Sequence, residues 1–428
     1  MVRNRLGRTQ LGDTGSFFTA ASVAALALWA SGSPSIVYPV YTSDWNLTAS
    51  LVTIVFAVYP ISLVVTLLVF GSLSDYIGRR ATLLIGVGLI AGGILLFAVA
   101  PDVVWLLLGR VLQGAGVGFA MGAASAAMVE YNRGGNPGRA SSVNTAATAL
   151  GLALATIVGG ALVEYAPFPL HLSYWVLFGI AGIVFGAVWL MPRGVVDGGS
   201  GPGSGPGSGP ASPGADTPAV ARRWRPQRVA VPRGLRVVFT VSALAISAGY
   251  AMGALLLSLG SQIAKDLIKT DNALVAGVAL SISAIVIGVV AILARSLAPR
   301  TSITVGGFSI ALGLGLLELS AALESLPVFI AASVVAGAGY GWLFLGGLGL
   351  ISRHAPAQHR ASTLSAVYLV AYLAQGVIAV LIGQSATAFG LEPALDLWAP
   401  AIAAIGLAAS ASAIASSVGV RRRQAEAG

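Results

Sequence analysis

A short polar stretch, Gly71-Ser72-Leu73-Ser74-Asp75-Tyr76-Ile77-Gly78-Arg79-Arg80, joins two long apolar runs at 48–72 and 81–100. A membrane helix needs about 20 mostly apolar residues, and each run reaches that length. Two such runs joined by so few polar residues predict a pair of antiparallel membrane helices with a tight loop between them. The loop concentrates two glycines, one aspartate and two arginines, which is an unusual polar content for this chain.

The composition indicates that the whole chain of 428 residues, and not only this pair of helices, belongs to a membrane protein. Hydrophobic residues make up 56% of the sequence, charged residues make up 9%, and the mean hydropathy is +0.87. A soluble domain is about a quarter charged, so this chain has too few charges to cover a water-exposed surface of its size. A soluble enzyme, a disordered protein and a fibrous protein are thereby excluded, and the bulk of the chain is expected in lipid.

The residue counts do not favour disulfides, a metal or cofactor site, or nucleic-acid binding. The chain has no cysteine, which excludes disulfides, thiolate chemistry and cysteine-ligated metals. None of its three histidines has a partner at metal-ligand spacing, so we expect neither a metal nor a cofactor. The net charge is +9, but the arginines stand in short clusters between apolar runs without interleaved aromatics, so we expect no nucleic-acid partner.

Twelve continuously apolar runs predict twelve membrane helices. Only helices and closed barrels satisfy their backbone hydrogen bonds in lipid, and barrel strands would alternate apolar with polar residues. The first run has no clear cleavage site and is therefore interpreted as a helix rather than a signal peptide. The fold class is an all-α membrane protein with spans at 17–42, 48–72, 81–100, 103–130, 140–164, 171–191, 236–260, 273–295, 301–323, 327–352, 361–388 and 395–418.

The spans divide into two groups of six that resemble each other. Gly114-Ala115-Gly116-Val117-Gly118 in the fourth span matches Gly337-Ala338-Gly339-Tyr340-Gly341 in the tenth, and Arg139-Ala140-Ser141 matches Arg360-Ala361-Ser362. A duplicated six-helix unit is typical of transporters that bind substrate near the midplane between two pseudo-symmetric bundles. We predict one bundle over 1–191, a second over 235–428, and a disordered basic linker rich in Gly, Pro and Ser over 192–234.

The arginines fix the expected orientation of the helices. With the N-terminus inside, nearly all of the 24 basic residues fall in the inner segments, and the outer loops hold only Lys265 and Lys269. We therefore expect a multi-pass protein of the plasma (inner) membrane of a bacterial-type cell. Both termini and the central linker are expected in the cytoplasm.

The polar loop at 71–80 resembles a cytoplasmic loop signature of the major facilitator superfamily, Gly-x-Leu-x-Asp-x-x-Gly-Arg-Arg/Lys, and lies where that family carries it. The resemblance implies the twelve-helix fold of that family, which works by alternating access. It also implies that Asp75 caps the N-terminus of the eleventh span, and Glu130 is placed to pair with Arg79. On physical grounds, Gly71 would let two helices approach closely and Gly78 would permit the turn. The predicted gating motif comprises Gly71, Asp75, Gly78, Arg79, Arg80 and Glu130.

Two further stretches resemble motifs of the same family. Arg110-Val111-Leu112-Gln113-Gly114 matches its Arg-x-x-Gln-Gly element, and an arginine inside a span is costly unless it faces a cavity or a partner. The alternative for Arg110 is snorkelling to the outer interface. The stretch 151–160 resembles the antiporter motif Gly-x-x-x-Gly-Pro-x-x-Gly-Gly, but Ala155-Thr156 replaces the central Gly-Pro, which weakens an inference of antiport.

The family resemblance places a central cavity between spans one, four, seven and ten, with contributions from two, five, eight and eleven. Polar and aromatic residues in those spans are the candidates for binding substrate or coupling ion, although helix packing is the alternative explanation for each of them. The candidates are Ser33, Ser35, Tyr38, Tyr59, Arg110, Gln113, Asn144, Thr148, Tyr250, Tyr340, Trp342, Tyr368, Tyr372 and Gln375.

These observations predict a secondary transporter of a small organic molecule, not an enzyme, since the spans lack clustered carboxylates or histidines. A proton-linked exporter of drugs or metabolites is the leading interpretation, with an uptake symporter or facilitator as the alternative. A non-transporting sensor or scaffold with the same fold is the alternative of another class. We expect a monomer whose partners are the substrate, the lipid bilayer and protons, the latter relayed through Arg110 with Glu130 or with an acid at an outer helix end. Glu318 is the only acid predicted well inside a span.

Overall fold

The computed structural model describes residues 10–71, 73–133, 137–193 and 231–426. Within these ranges, no side chain is described at Asp75, Pro137, Ala357, Gln358 or Ala361, or over 416–426. Most of the linker predicted at 192–234, the N-terminal arginines and the side chains of Arg421, Arg422 and Arg423 therefore lie outside the described part of the chain. The two proposed bundle boundaries remain predictions.

Twelve long helices account for nearly all of the described chain, and the prediction of twelve membrane helices is confirmed. They are α1 (Asp13–Trp45), α2 (Ala49–Phe70), α3 (Arg79–Ala98), α4 (Val103–Glu130), α5 (Pro137–Tyr165), α6 (Leu172–Trp189), α7 (Arg236–Asp266), α8 (Ala273–Leu293), α9 (Pro299–Ala322), α10 (Leu326–His354), α11 (Ala357–Phe389) and α12 (Leu391–Glu426). Several are longer than their apolar runs, because hydrogen bonding continues a helix past the point where the sequence turns polar.

Short polar side chains start several of these helices in the expected way. Thr48 accepts a hydrogen bond from the Leu51 amide at the start of α2, and Asp102 accepts one from Val104 at the start of α4. Asn272 does the same for the Val275 amide at the start of α8. Such caps satisfy backbone donors that the first turn of a helix leaves free, which matters most where water is scarce.

The helix packing repeats between the two groups of six. In the first group, α1 packs on α5, both α2 and α3 pack on α4, and α3 also packs on α6. The second group repeats this pattern: α7 packs on α11, both α8 and α9 pack on α10, and α9 also packs on α12. The largest contacts between the groups join α2 with α11, α5 with α8, and α1 with α7, and smaller ones join α2 with α7 and α1 with α8. This is the pseudo-symmetric arrangement of two six-helix bundles predicted from the repeated motifs.

The repeated glycine motif makes equivalent contacts in both halves. A Cβ built on Gly116 of α4 would lie 2.6 Å from the Gly86 carbonyl oxygen of α3. A Cβ built on Gly339 of α10 would lie 3.0 Å from the Gly306 carbonyl oxygen of α9 and 2.6 Å from the Ile310 amide nitrogen. The two glycines therefore hold equivalent helix pairs at backbone contact, which is how small residues replace the hydrophobic effect inside a membrane.

Glycines also bring the two halves into direct backbone contact. A Cβ on Gly277 of α8 would overlap the Thr156 carbonyl oxygen of α5, and one on Gly160 would lie 2.6 Å from the Ala273 carbonyl oxygen. We call this α5–α8 contact the glycine seam. No side chain separates the two helix backbones at these points.

Consecutive helices run in opposite directions, so their connections alternate between two ends of the bundle. One end carries Arg79 and Arg80, Arg133 and Arg139, Arg295 and Arg300, and Arg353 and Arg360; we call it the arginine-rich end. The other, called the opposite end, carries the α1–α2, α3–α4, α5–α6, α7–α8, α9–α10 and α11–α12 connections. The hydropathy and length of the helices make this an integral, multi-pass membrane protein.

Candidate substrate site

Arg110 of α4 is the centre of a buried polar cluster in the first half of the molecule. Its side chain is 0% exposed, so it does not snorkel to the membrane surface. One terminal nitrogen donates to the Ser31 carbonyl oxygen (2.8 Å) and to Gln113 Oε1 (3.3 Å), and the other donates to the Tyr38 hydroxyl (2.7 Å). The rings of Tyr59 and Phe97 lie against the guanidinium, each with its centroid 5.7 Å from Cζ. We call these six residues the arginine cluster.

The arginine cluster contains a positive charge without a carboxylate partner. Every acceptor described for the guanidinium is neutral, and no acidic side chain of the described residues lies within ion-pairing distance of it. Two buried donors, Arg110 Nε and Gln113 Nε2, have no hydrogen-bond partner. Buried donors without acceptors are unfavourable, so both groups can accept a further hydrogen-bond partner without giving up an existing one.

Five aromatic rings form a second cluster in the other half of the molecule. Tyr250 of α7 lies between Tyr340 of α10 and Tyr372 of α11, with ring centroids 6.0 Å and 4.8 Å away. Phe344 lies 6.3 Å from Tyr340 and 6.4 Å from Tyr368. We call these five residues the tyrosine cluster; Tyr250 is buried, and its other four members are half-buried.

Tyr340 owes its position to two glycines of the neighbouring helix. A Cβ on Gly249 would lie 3.4 Å from its ring, and one on Gly253 would lie 3.3 Å from it. An alanine at position 249 would just touch the ring, and one at position 253 would require the ring to shift slightly. The close packing of α7 on α10 therefore places a flat aromatic surface toward the interior of the molecule.

Tyr59 of α2 brings the two clusters together. Its ring lies against Arg110, and Tyr59 belongs to the same continuous core as Tyr340 and Tyr372. Helix α4 packs on the helices of its own half and α10 packs on those of the other. Hydrogen-bond donors thus lie in the first half and aromatic rings in the second, with Tyr59 belonging to the core shared by both.

Several hydrogen bonds join the halves at the opposite end, among them one from the Asn272 side-chain amide of the α7–α8 connection to the Tyr165 hydroxyl of α5 (3.1 Å). Ser261 of α7 donates to the Ser35 carbonyl oxygen of α1 (2.5 Å). The Ser50 amide and hydroxyl of α2 each lie 2.9 Å from the Thr387 hydroxyl of α11. Glu164 of α5 accepts a hydrogen bond from the Ala273 amide at the start of α8 (2.8 Å). The three helix pairs with the largest contacts between the halves are therefore each joined by hydrogen bonds at this end.

The predicted gating motif lies at the arginine-rich end. Arg79 Nε is 3.9 Å from a Glu130 carboxylate oxygen, with both side chains partly exposed, and Arg79 also donates to Ser74 (2.6 Å). Gly78 has φ of 85°, a conformation that favours glycine, so it forms the turn. The predicted contact of Asp75 with the eleventh span lies outside the described side chains.

One expectation about this motif is wrong. Gly71 does not serve a close approach of two helices, because a Cβ there would overlap the Leu67 carbonyl oxygen of its own chain segment. The residue ends α2 with a tight turn instead, and its amide donates to that carbonyl (2.9 Å). Arg80 lies with its guanidinium carbon 5.4 Å from the Trp189 ring centroid of α6.

The remaining predicted cavity residues fall outside the two clusters. The Ser33 and Thr148 hydroxyls bond to carbonyls of their own helices, and Asn144 Oδ1 accepts weakly from Ser125 at 3.5 Å. Ser35 takes part in the contact at the opposite end, while Trp342 and Gln375 have no contact that joins them to either cluster. Glu318 lies in the last turns of α9 near Asp396 of α12, away from both clusters.

Several residues of the site were missed by sequence reasoning. Phe344 follows Tyr340 by four residues on the same helix face, so helical periodicity could have revealed it. No sequence signal could have revealed Phe97 and Ser31. An apolar ring and a backbone carbonyl do not indicate that folding will bring them into contact with Arg110. Tyr174 of α6, whose ring centroid lies 5.0 Å from that of Phe97, belongs to the same category.

Comparison with known proteins identifies the family. A family model described as Major Facilitator Superfamily matches residues 18–379. The chain belongs to the Major Facilitator Superfamily. It is therefore a twelve-helix transporter rather than an enzyme, and small molecules are the substrates of this superfamily.

Curated members of the superfamily match the chain over short segments. The transporter YybF of Bacillus subtilis, described as an uncharacterized MFS-type transporter, is 29% identical over 146 residues, which is 34% of each chain. EfpA of Mycobacterium tuberculosis, described in the same words, is 36% identical over 99 residues, covering 23% of this chain and 19% of its own. The matches thus span about a third and a fifth of these relatives.

A solved structure of the superfamily shares the whole fold. The crystal structure of a mutant of the nucleoside transporter NupG aligns with a TM-score of 0.73 over 93% of this chain and 99% of its own. Sequence identity is 11%. The likeness concerns the fold alone, and the prediction of the major facilitator fold is confirmed.

Proposed function

We propose that this superfamily member is a secondary active exporter that moves a small organic molecule by alternating access, driven by protons. The observation that carries the proposal is the arginine cluster: a buried guanidinium and amide with unmet donors, connected through Tyr59 to the core that contains the tyrosine cluster. A transporter whose two halves rock against each other needs binding groups on both halves. When the halves move, some of these contacts to the substrate are lost, and the substrate is released.

Export is supported by the two stretches that resemble efflux motifs, 110–114 and 151–160. The alternative of an uptake symporter or facilitator is supported by one observation in α5. This helix runs without an interior proline, and the Thr156 hydroxyl bonds to the Ala153 carbonyl of its own helix (3.2 Å), so the kink expected from Gly-Pro is missing.

The membrane and the orientation are part of the proposal. We place the protein in the plasma (inner) membrane with the arginine-rich end, both termini and the linker in the cytoplasm. The arginine distribution supports this, because positively charged loops are retained on the cytoplasmic side during insertion. The contacts at the opposite end would then close the molecule toward the outside.

Direction can be measured in proteoliposomes that contain the purified full-length chain and a pH gradient of either sign. A panel of fluorescent organic dyes, one anionic, one neutral and one cationic, serves as probe. A proton-linked exporter moves a dye against its gradient in exchange for protons entering from the opposite side. Symport moves dye and proton in the same direction, and a facilitator ignores the pH gradient.

The variant Asp75→Asn and a control, Asp44→Asn, separate a transporter from a scaffold. Asp75 belongs to the gating motif, whereas Asp44 is an exposed residue of the last turn of α1. We expect transport to fall with Asp75→Asn and to persist with Asp44→Asn. Failure of the wild-type chain to move any dye, with protein that is folded by thermal unfolding, would contradict the proposal.

A further inference from the structure

The charge and shape of the interior indicate which class of molecule the site accepts, and this inference rests on the proposed transport function. Arg110 carries a charge that its own surroundings do not neutralise, since its acceptors are a backbone carbonyl, a tyrosine hydroxyl and an amide oxygen. In a medium of low dielectric constant, such a charge attracts an anion strongly and repels a cation. Acids in the described part of the chain stand at helix ends, away from both clusters.

The unmet donors indicate the chemical group that would bind. Arg110 Nε and Gln113 Nε2 stand three residues apart on one face of α4, and both offer N–H groups without an acceptor. The orientation of the Gln113 amide is set by Arg110, which donates to its oxygen and leaves the nitrogen free. A planar oxyanion such as a carboxylate supplies two acceptors of the geometry that a guanidinium prefers.

The tyrosine cluster indicates the rest of the molecule. Tyr250, Tyr340 and Phe344 are close to parallel, with interplanar angles of 19°, 14° and 28° between their pairs. Aromatic surfaces of this kind bind flat apolar bodies by offset stacking. A ligand that reaches both clusters must therefore combine a flat ring system with an acidic group.

We propose that the substrate is an aromatic organic anion, whose acid group binds Arg110 and Gln113 and whose ring packs on the tyrosine cluster. In this conformation the rings of Tyr59 and Phe97 cover the guanidinium. Tyr59 belongs to the same core as Tyr340 and Tyr372, so the proposal requires its side chain to turn aside when the acid group binds. Organic cations are excluded by the same charge.

Three probes of equal ring size test the proposal: naphthoate, naphthamide and naphthylmethylammonium. Their binding to the purified full-length chain in nanodiscs is measured calorimetrically at neutral pH, with empty nanodiscs correcting for partition into lipid. We expect naphthoate to bind at least about tenfold more tightly than naphthamide, since a hydrogen bond to a charged group contributes about 1.5–3 kcal/mol. The ammonium probe is expected to bind more weakly than the amide.

Variants assign the preference to the residues. Arg110→Gln is expected to reduce the ratio of naphthoate to naphthamide affinity by about tenfold, whereas Arg110→Lys keeps most of it because the charge remains. Tyr340→Leu should weaken naphthoate and naphthamide alike and leave their ratio unchanged. The matched control is Arg300→Gln at the arginine-rich end, which should alter nothing. If Arg110→Gln does not fold, Gln113→Met removes the second donor and should lower naphthoate affinity alone.

Three results would overturn the proposal: equal or tighter binding of the ammonium probe, an affinity ratio unchanged in folded Arg110→Gln, or binding of none of the three probes. These results are distinct from a failure of the proposed function. A chain that prefers naphthoate yet moves nothing across a vesicle contradicts transport only, and a chain that transports dyes without preferring anions contradicts this inference only.

Discussion

A buried arginine without an acidic partner dominates the interior at the scale of single residues. Placing a guanidinium in the membrane interior costs several kcal/mol, and neutral acceptors recover part of this. A carboxylate on a neighbouring helix would stabilise Arg110 further, but it would also occupy the donors that a substrate needs. Under the proposed function, the arrangement gives up stability of the protein in favour of substrate binding.

Residue-scale electrostatics also yield a prediction for proton coupling. The contact of Glu130 with Arg79 is long and partly exposed, so its loss should change the free energy of unfolding by less than about 1 kcal/mol. We expect Glu130→Gln to reduce proton-driven flux in vesicles while leaving thermal unfolding nearly unchanged. Glu318→Gln should leave flux intact, because Glu318 lies apart from both clusters.

The control for this experiment is Glu324→Gln in the α9–α10 connection, where the carboxylate is exposed. Unchanged proton flux in both Glu130→Gln and Glu318→Gln would remove these two acids from the relay. The next candidate for the proton relay would then be Glu164, the acid that joins the halves at the opposite end.

How much of the site the sequence could predict depends on the kind of residue. Arg110, Gln113, Tyr38 and Tyr59 were predictable, because polar or aromatic side chains inside an apolar run are conspicuous. Phe97 and the Ser31 carbonyl were not, since they become part of the site only when α1, α3 and α4 pack together. Gly71 was misassigned because a glycine that ends a helix looks the same in sequence as one that admits a neighbouring helix.

At the scale of helices, glycine contacts decide the packing. The fourth and tenth helices use the same motif to approach the third and ninth, with Gly116 and Gly339 in equivalent positions. The twelve spans could be predicted because lipid requires long apolar runs, whichever neighbours they have. The pairing of helices could not, since it depends on which small residues meet across an interface.

The glycine contacts lead to a stability prediction. Gly116→Ala places a Cβ 2.6–2.8 Å from the Gly86 carbonyl oxygen and from the Ile90 side chain and amide, where backbone atoms cannot yield easily. Overpacking of this kind costs about 1–3 kcal/mol, so thermal unfolding in detergent should begin at a clearly lower temperature. We expect the same for Gly339→Ala.

Gly122→Ala provides the matched control on the same helix. No atom lies within 4 Å of a Cβ at this position, so the substitution should be neutral or slightly stabilising, as alanine favours helix over glycine. An equal loss of stability at positions 116 and 122 would show that glycine flexibility, and not close packing, explains the motif.

At the scale of the whole molecule, the three largest helix contacts between the two halves are each joined by hydrogen bonds at the opposite end. Alternating access requires these contacts to separate when that end opens. They are hydrogen bonds involving hydroxyls, a carboxylate and backbone groups, which water can replace at little cost. Closure at this end is therefore reversible on physical grounds.

A reversible cross-link tests this motion. The Ser50 and Thr387 hydroxyl oxygens are 2.9 Å apart, so cysteines at both positions are close enough for a disulfide. The natural chain has no cysteine, which leaves no competing thiol. We expect Ser50→Cys combined with Thr387→Cys to lose dye transport on oxidation and to regain it with a reductant.

Each single variant serves as the control and should transport in both redox conditions. Full transport by the oxidised double variant, with the disulfide verified by mass spectrometry, would contradict opening at this end. The result is independent of substrate identity, since any dye that the wild type moves can report it.

The glycine seam has a consequence for the speed of that motion. Where α5 and α8 touch, Gly160 and Gly277 leave two smooth backbones without interlocking side chains. Any rotation of one half on the other must therefore slide or separate these backbones directly. Hydrogen bonds join the halves on both sides of the seam, from the Ala273 amide to Glu164 at the opposite end and from Arg295 to Ser142 at the arginine-rich end. Substitutions that alter these few hydrogen bonds would change the turnover rate and leave substrate binding unchanged.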